Sequence, residues 1–277
     1  MITGRLCNPT SIYDDSEFHQ HICRDGMKGE NMYTLTLTLN LLTRKKEFTG
    51  VHYRRLHAFV LGSMKESDPA LSEEIHSRIE RQIFAISYEQ EKIRIYTPSK
   101  RIISCLQQTL LDRKLVDLFD WQAQIIEIAA IFTTPEEVQN TFHEKFTLRF
   151  VTPTTFYQYG NYYPLPELNR LLSSASKVMQ IVEGVEVSKH QLETMARMIR
   201  IESANIKTER ISFGKFNIIG FCGELSLQCK ALPKEDQYIV WKLVNYGTMM
   251  GFGYKTAWGL GRTQLIIPKS SAHVRNP

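Results

Sequence analysis

The order in which strand-like and helix-like patterns follow one another constrains the fold of this chain more than any other feature of its sequence. Residues 33–41 place an apolar side chain at every second position, as half-buried strands do. Helical spacing follows at 56–64, and Asp68 with Pro69 predicts the cap and first turn of a second helix that ends near His76. This region therefore predicts one strand followed by a pair of helices.

The rest of the first half continues with two strands, a helix and a strand. The two strands are predicted at 84–88 and 93–96, the helix begins after a capping Ser99, and the last strand spans 121–132. The resulting order of strand, helix, strand, strand, helix, strand is that of a ferredoxin-like domain, in which helices cover one face of an antiparallel sheet.

The second half repeats this order. Its predicted elements are a strand at 146–151, a helix at 168–178, strands near 198–207 and 211–229 that form a projecting hairpin, a helix from Pro233 to about 245, and a strand at 262–267. The sequence thus predicts an α+β fold of two tandem ferredoxin-like (βαββαβ) domains, at 32–140 and at 141–268.

The segments outside these domains carry no regular pattern. Residues 1–31 are polar, so we expect a poorly ordered tail in which Met27 or Met32 is an equally good natural start, and 269–277 form a second tail. The N-terminus does not resemble a secretion signal, and no apolar run approaches the roughly 20 residues of a membrane span. We therefore expect a cytoplasmic protein without membrane contact.

The five cysteines do not indicate a metal site or a disulfide framework. They are odd in number and widely scattered, and no two show the two-residue spacing of zinc ligands. We expect reduced thiols and no metal.

Positive charge is concentrated in the last third of the chain. Residues 189–277 contain 13 Lys and Arg against 6 Asp and Glu, whereas residues 1–188 contain 21 against 23. Basic surfaces attract polyanions, so nucleic acid is a candidate partner. A solvated surface without a partner is the alternative.

The strongest local motif is the glycine-rich loop, GFGYKTAWGLGR at 251–262. Glycine permits positive φ and close approach of another backbone, so such a loop can present N–H groups to phosphates. No glycine directly precedes Lys255, and Thr256 stands where a dinucleotide motif needs its third glycine, so we expect no nucleotide cofactor. A tight connector packed on the sheet is the alternative.

This loop resembles the C-terminal loop of the CRISPR-associated repeat-processing endoribonucleases, the Cas six family. Further segments are similar to motifs of that family: FVTPTTF at 150–156 with PLP at 164–166, GFCG at 220–223, and DPALSEEIH at 68–76. The resemblance covers about residues 32–268. It implies a metal-independent endoribonuclease of antiviral defence, without a cofactor, that cuts CRISPR repeat RNA in precursor transcripts to give guide RNAs.

The resemblance also implies a catalytic histidine. The last residue of the family's DPALSEEIH-like stretch serves as acid or base, and here it is His76. Imidazole titrates near neutral pH, so it can take a proton from a ribose 2′-hydroxyl or deliver one to the departing 5′-oxygen. The products would carry a 2′,3′-cyclic phosphate and a 5′-hydroxyl. His76 could instead cap carbonyls at a helix end; His52 is the second candidate, and His57, in an apolar register, the last.

A tyrosine that the family often carries fifteen residues before this histidine is replaced here by Leu61. The charge that develops on the scissile phosphate therefore needs another donor. Arg54 is the first candidate, because a guanidinium can bind two phosphate oxygens at once. Arg78 and Arg81, where relatives often carry a lysine, are the others, and each could equally be a surface residue.

Contacts with RNA are expected at two places. In the glycine-rich loop they involve Gly251, Gly253, Lys255, Thr256, Gly259, Gly261 and Arg262. In a basic segment they involve Lys189, Arg197, Arg200, Lys207 and Arg210, which would contact the stem of a repeat hairpin or, alternatively, form a solvated face. Tyr157, Tyr159, Tyr162 and Tyr163 could stack on bases or close the core.

A second function stays open at this point. Since Leu61 replaces the family tyrosine, the chain could be a non-catalytic subunit that binds guide RNA within an effector complex, with other Cas proteins as partners. A third possibility is a structural ferredoxin-like protein with no RNA role.

Overall fold

A computed structural model describes residues 31–43, 47–77 and 83–268, with His76 and Ser77 described in their backbone only. The strands are β1 (Met32–Leu41), β2 (Ala85–Glu89), β3 (Lys92–Thr97), β4 (Leu115–Asp117), β5 (Gln122–Thr133), β6 (Lys145–Thr154), β7 (Phe156–Gln158), β8 (Asn161–Tyr163), β9 (Arg200–Ser212), β10 (Asn217–Gln228) and β11 (Thr263–Ile266). The helices are α1 (Gly50–Ser67), α2 (Pro69–Ser77), α3 (Lys100–Arg113), α4 (Pro135–Asn140), α5 (Leu168–Glu183), α6 (Lys189–Met198) and α7 (Lys234–Met250), and a single 3-10 turn spans Thr256–Trp258.

The first sheet is antiparallel and has the strand order β2-β3-β1-β5-β4. Strand β1 lies at the centre of this sheet, and its alternate leucines, Leu35, Leu37 and Leu39, are buried on one face. Helices α1 and α3 cover this face, since Leu56 and Leu106 belong to the same core as these leucines. The observed β1 and α1–α2 pair agree with the predicted strand and helices.

The second sheet, also antiparallel, has the order β11-β6-β10-β9. Helices α5 and α7 complete its core, in which Leu171 and Val244 pack with Phe150 of β6. In the first sheet β1 lies between β5 and β3, and in the second sheet β6 lies between β11 and β10. In both sheets the first strand thus lies between the last and the third, which is the ferredoxin-like arrangement. The predicted tandem ferredoxin-like fold is therefore confirmed.

The main difference from the predicted elements concerns the basic segment at 189–210. A strand was expected from about 198, but helix α6 occupies Lys189–Met198 and β9 begins only at Arg200. The Ser188 hydroxyl caps the helix by accepting a hydrogen bond from the Gln191 N–H at 3.2 Å. Leu192 and Met195 are buried on one face of it. Because only this short apolar stripe marks the helix, the charged residues around it concealed the pattern.

Several short elements were not predicted at all. They are the edge strand β4, the helix α4 and the hairpin of β7 and β8. The predicted tails, 1–31 and 269–277, lie outside the described residues except for Asn31. The division at 32–140 and 141–268 stays a proposal.

Two further expectations from the sequence were reduced thiols and the absence of a membrane span. Cys105, Cys222 and Cys229 are free and buried, and burial raises the pKa of Cys222 and of Cys229 to about 12. These thiols are therefore protonated at neutral pH. No helix in the described ranges combines the length and the apolar character that crossing a membrane requires.

Candidate nucleic-acid interface

The glycine-rich loop owes its glycines to packing within the protein. Gly253 has φ of +83°, and a Cβ there would lie 2.2 Å from the carbonyl oxygen of Thr155. Gly259 has φ of +76°, and a Cβ there would lie 2.1 Å from the ring of Tyr53 on α1. Both positions exclude a side chain on steric grounds alone. The glycines therefore shape a tight connector. The residues between them are the ones that can contact a ligand.

Trp258 joins the loop to the first core. Its ring centroid lies 5.6 Å from that of His57 on α1 and 5.5 Å from that of Phe213, at the tip of the β9–β10 hairpin. Phe213 is fully buried and belongs to the core of the first sheet. The predicted hairpin therefore reaches back onto α1. His57 packs against aromatic rings here, as its apolar register suggested.

Lys255 is the cation that the loop presents. Its backbone has φ of +57°, and its Nζ lies 3.8 Å from the centroid of the Trp258 ring and 5.0 Å from that of Tyr254. Burial lowers the pKa of Lys255. A partly desolvated ammonium held over aromatic rings is a strong site for an anion.

The loop forms one wall of a cleft of about 820 Å³. The other walls come from β7, α5 and the start of α6, and they bring Lys177 and Lys189 into the lining. Both lysines are exposed, and neither forms a hydrogen bond or ion pair within the described part of the chain. Arg170 also lines the cleft, but its guanidinium donates to Glu167 at 2.6 Å. Positive charge is therefore available mainly from lysines.

The contacts of Arg262 do not favour a role in RNA binding. Its Nη1 donates a hydrogen bond of 2.7 Å to the carbonyl of Thr248, and its Cζ lies 5.1 Å from the ring centroid of Tyr96 on β3. Arg262 thus links the end of α7 to the first sheet. These contacts favour a structural role for a residue that the sequence predicted as an RNA contact.

The helix that carries His76 is fixed at its beginning. Asp68 caps α2 by accepting a hydrogen bond from the Leu71 N–H at 3.0 Å, and Arg101 of α3 contacts the same carboxylate. Only the backbone of His76 is described, and Arg78 and Arg81 lie outside the described residues. The catalytic role predicted for these three residues therefore stays a prediction.

His52 is buried at the start of α1. Its Nδ1 accepts a hydrogen bond from the Thr49 backbone N–H at 3.0 Å, which completes a capping box, and its Nε2 lies 3.4 Å from a carboxylate oxygen of Asp120. These contacts favour a structural role for His52 at the helix start, and its role as the second catalytic candidate stays a prediction.

Arg54 and Leu61 lie on the same stripe of α1, seven residues or two turns apart, which is about 10 Å along the axis. Leu61 is buried in the first core. Arg54 is half-buried, and within the described residues its guanidinium has no hydrogen bond or ion pair. Arg54 lies two turns from the position of the missing tyrosine, and with no partner among the described residues it is available for a phosphate.

The basic segment does not form one surface. Lys189 lines the cleft, and Arg197 is exposed on the last turn of α6. Arg200 pairs with Glu202 at 3.0 Å and Lys207 with Glu209 at 2.7 Å. Arg210 is exposed on the edge strand β9, on the opposite face from Lys207. Of the segment, Lys189 alone shares a site with Lys255.

Sequence reasoning assigned no role to Tyr254, Trp258 or Lys177, which complete the cleft. The aromatic residues on either side of Lys255 are a signal that could have indicated the first two. The sequence contains no comparable signal for Lys177, because a single lysine on an amphipathic helix is ordinary. Among the described residues, no cluster of three or more His, Cys, Asp or Glu is arranged to hold a metal ion.

The part of the chain that contains this interface is similar to a known protein family. Residues 148–263 match the family model of CRISPR-associated endoribonuclease Cas6. The Cas6 endoribonuclease of Mycobacterium tuberculosis is 26% identical over 151 residues, which are 53% of this chain and 46% of that protein. The match thus spans about half the length of this curated relative.

Solved structures share the whole fold. A Cas6 product complex has a TM-score of 0.72 at 19% identity, covering 86% of this chain and 100% of that one. A Cas6 protein of Thermus thermophilus has a TM-score of 0.65 at 20% identity, covering 85% and 99%. At such identities the likeness concerns the fold. Together with the family model these findings confirm the resemblance in the motifs: residues 148–263 are similar to the Cas6 endoribonuclease family, and the fold is that of the solved Cas6 structures.

Proposed function

We propose that this protein is an endoribonuclease that cleaves CRISPR repeat RNA in precursor transcripts to give guide RNAs, without a metal ion. The observation that carries the proposal is the cleft beside the glycine-rich loop, because it combines lysines with tyrosine rings and every residue that lines it lies within the segment matched by the family model. Lysines bind phosphates and aromatic rings stack on bases, so the lining suits RNA.

The cleavage step in this proposal is internal transfer of the phosphate. The ribose 2′-oxygen attacks the adjacent phosphorus, its proton leaves, and the bond to the 5′-oxygen breaks as that oxygen gains a proton. His76 at the end of α2 would serve as the acid or base in this exchange, since imidazole changes charge near neutral pH. The products are a 2′,3′-cyclic phosphate and a 5′-hydroxyl. The nucleophile belongs to the RNA, so the step requires no metal-bound water.

Charge that develops on the phosphate would be met by arginine. Arg54 supports this part of the proposal because its guanidinium has no partner in the described residues and lies two turns from Leu61 on one stripe of α1. Arg78 and Arg81 are alternative donors, and His52 is the alternative acid or base. A preorganised cation in a partly dry site stabilises such charge more than water does.

A non-catalytic guide-binding subunit of an effector complex is the second candidate function. The observation that favours it is Leu61, whose buried apolar side chain stands where the family often has a tyrosine. The cleft would serve either function, and other Cas proteins would be the partners of such a subunit.

One assay separates these functions. The full-length protein is incubated in EDTA with end-labelled CRISPR repeat RNA from the same genome. We expect a single cut with a 2′,3′-cyclic phosphate end, none in RNA that has a 2′-deoxy sugar at the cut, and a rate lowered by about 10²–10⁴ in His76→Ala at similar affinity. Tight binding of intact RNA would favour the subunit. Cleavage that stops in EDTA would contradict metal independence.

A further inference from the structure

Three tyrosines form an aromatic surface at the cleft: Tyr157 and Tyr254 line it, and Tyr162 packs beside them. The rings of Tyr157 and Tyr254 are stacked, with centroids 5.1 Å apart and an interplanar angle of 20°. The ring of Tyr162 lies 5.3 Å from Tyr157 and 6.3 Å from Tyr254. Tyr157 nevertheless remains 48% exposed. A stacked pair with an open side is a surface that a further flat ring can extend.

Cations lie at this surface. The ammonium of Lys255 lies between Tyr254 and Trp258, at 5.0 and 3.8 Å from their centroids. Lys177 and Lys189 stand on the α5 and α6 walls, exposed and without a partner in the described part of the chain. An aromatic face with lysines around it combines the two attractions that bind a single strand: stacking for the base and charge for the phosphates.

We infer that this cleft holds an unpaired nucleotide of the RNA, whose base stacks on the Tyr157–Tyr254 pair while adjoining phosphates contact Lys255, Lys177 and Lys189. A base within a duplex is already stacked on both faces, so the tyrosine surface selects RNA whose bases are free. Stacking does not read base edges, so the site tolerates any base. This inference rests on the proposed RNA-binding function and adds where a single-stranded part of the substrate lies.

The test compares two ligands of equal charge. Dissociation constants are measured for an eight-nucleotide oligoadenylate and for an abasic ribose-phosphate chain of the same length. The wild type should bind the oligoadenylate on the order of tenfold more tightly, because only this ligand can stack. Tyr157→Ala should remove most of that preference and Tyr157→Phe should retain it. Tyr238→Ala is the matched control, since Tyr238 is a 38% exposed tyrosine on α7 outside the cleft, and it should leave the preference unchanged.

A second variant protects the test against misfolding. Tyr254→Leu should lower the preference as well, and thermal melts identify any variant that is not folded. Equal preference in the wild type and in folded Tyr157→Ala and Tyr254→Leu proteins would overturn the inference. Repeat RNA that is cut by a wild type without any preference would overturn it while leaving the proposed function intact. A wild type that binds neither the oligonucleotides nor repeat RNA would overturn both.

Discussion

Arg101 holds the carboxylate of Asp68 through two hydrogen bonds, from Nε to Oδ2 at 2.8 Å and from Nη2 to Oδ1 at 2.9 Å. Asp68 in turn caps α2, the helix whose last turn contains His76. A residue of α3 thereby fixes the direction in which the helix of the proposed catalytic histidine leaves α1. Half of the Arg101 side chain is exposed, so the pair contributes more to positioning than to stability.

We expect Arg101→Gln to slow single-turnover cleavage by about tenfold while changing the free energy of unfolding by less than about 1 kcal/mol. RNA affinity should stay the same, since Arg101 is remote from the cleft lining. Arg113→Gln is the matched control, because Arg113 lies on the same helix and pairs with Glu66 of α1. Equal rates in the two variants would show that the Asp68 pair does not position His76.

The same carboxylate predicts a dependence of stability on pH. The Leu71 N–H and then Arg101 lower the pKa of Asp68 below its ordinary value of 3.8. A carboxylate with a lowered folded-state pKa stabilises the fold above its unfolded pKa, and this contribution is lost as the pH falls through the folded value. Asp68→Asn should therefore lower the melting temperature at pH 7 and have little effect at pH 2. Melting curves at both values check this, and an equal drop at pH 2 would contradict it.

A third prediction concerns the glycine-rich loop. Gly259→Ala should lower the free energy of unfolding by more than about 2 kcal/mol, because it adds a clash with Tyr53 to the cost of a positive φ. Gly160→Ala is the control: its φ is +79°, but a Cβ there would meet no described atom within 4 Å. That variant should lose only about 1–2 kcal/mol. Chemical denaturation measures both, and equal losses would refute the packing role of Gly259.

A fourth prediction separates the two cations of the loop. Lys255→Gln should flatten the slope of log affinity against log salt by about 0.7 for single-stranded RNA, as expected for one lost phosphate contact. Arg262→Gln should instead lower the melting temperature and keep the slope, because its guanidinium is bound to Thr248 and lies over Tyr96. Binding titrations from low to high salt, with a melt of each variant, measure both quantities. A flatter slope in Arg262→Gln alone would reverse the assignment.

The sequence predicted the two sheets because alternation and helical spacing depend on local burial. The leucines of β1 and the Ser99 cap of α3 are such local signals, and both agree with the structure. Helix α6 was missed because few apolar residues mark it. The candidate site could be predicted only in part, because the sequence shows local signals and not contacts between distant residues. Lys255 was found through its motif, whereas the contacts of Arg262 and the stacking of Tyr157 on Tyr254 join distant parts of the chain, which spacing does not reveal.

The last prediction concerns how cleavage proceeds with Leu61 in place of the family tyrosine. A single histidine leaves the charge on the scissile phosphate without a partner, and among the described residues the Arg54 guanidinium on α1 has no hydrogen bond or ion pair. We expect Arg54→Ala to lower single-turnover cleavage by around 10²-fold at saturating protein, with a smaller change in affinity, and Arg54→Lys to restore only part of the rate.

Arg55→Ala is the matched control for Arg54, since the neighbouring guanidinium donates to the Leu118 carbonyl at 3.0 Å and to Asp120. It should lower stability and leave the rate of the folded protein unchanged, because those bonds already engage its donors. If Arg54→Ala cuts at full rate and Arg78→Ala or Arg81→Ala is slow, the phosphate donor lies beyond His76. Full rates in all three variants would mean that the cation comes from the half of the chain that forms the second sheet. Arg197 would then be the next residue to test, because Arg200 is paired with Glu202.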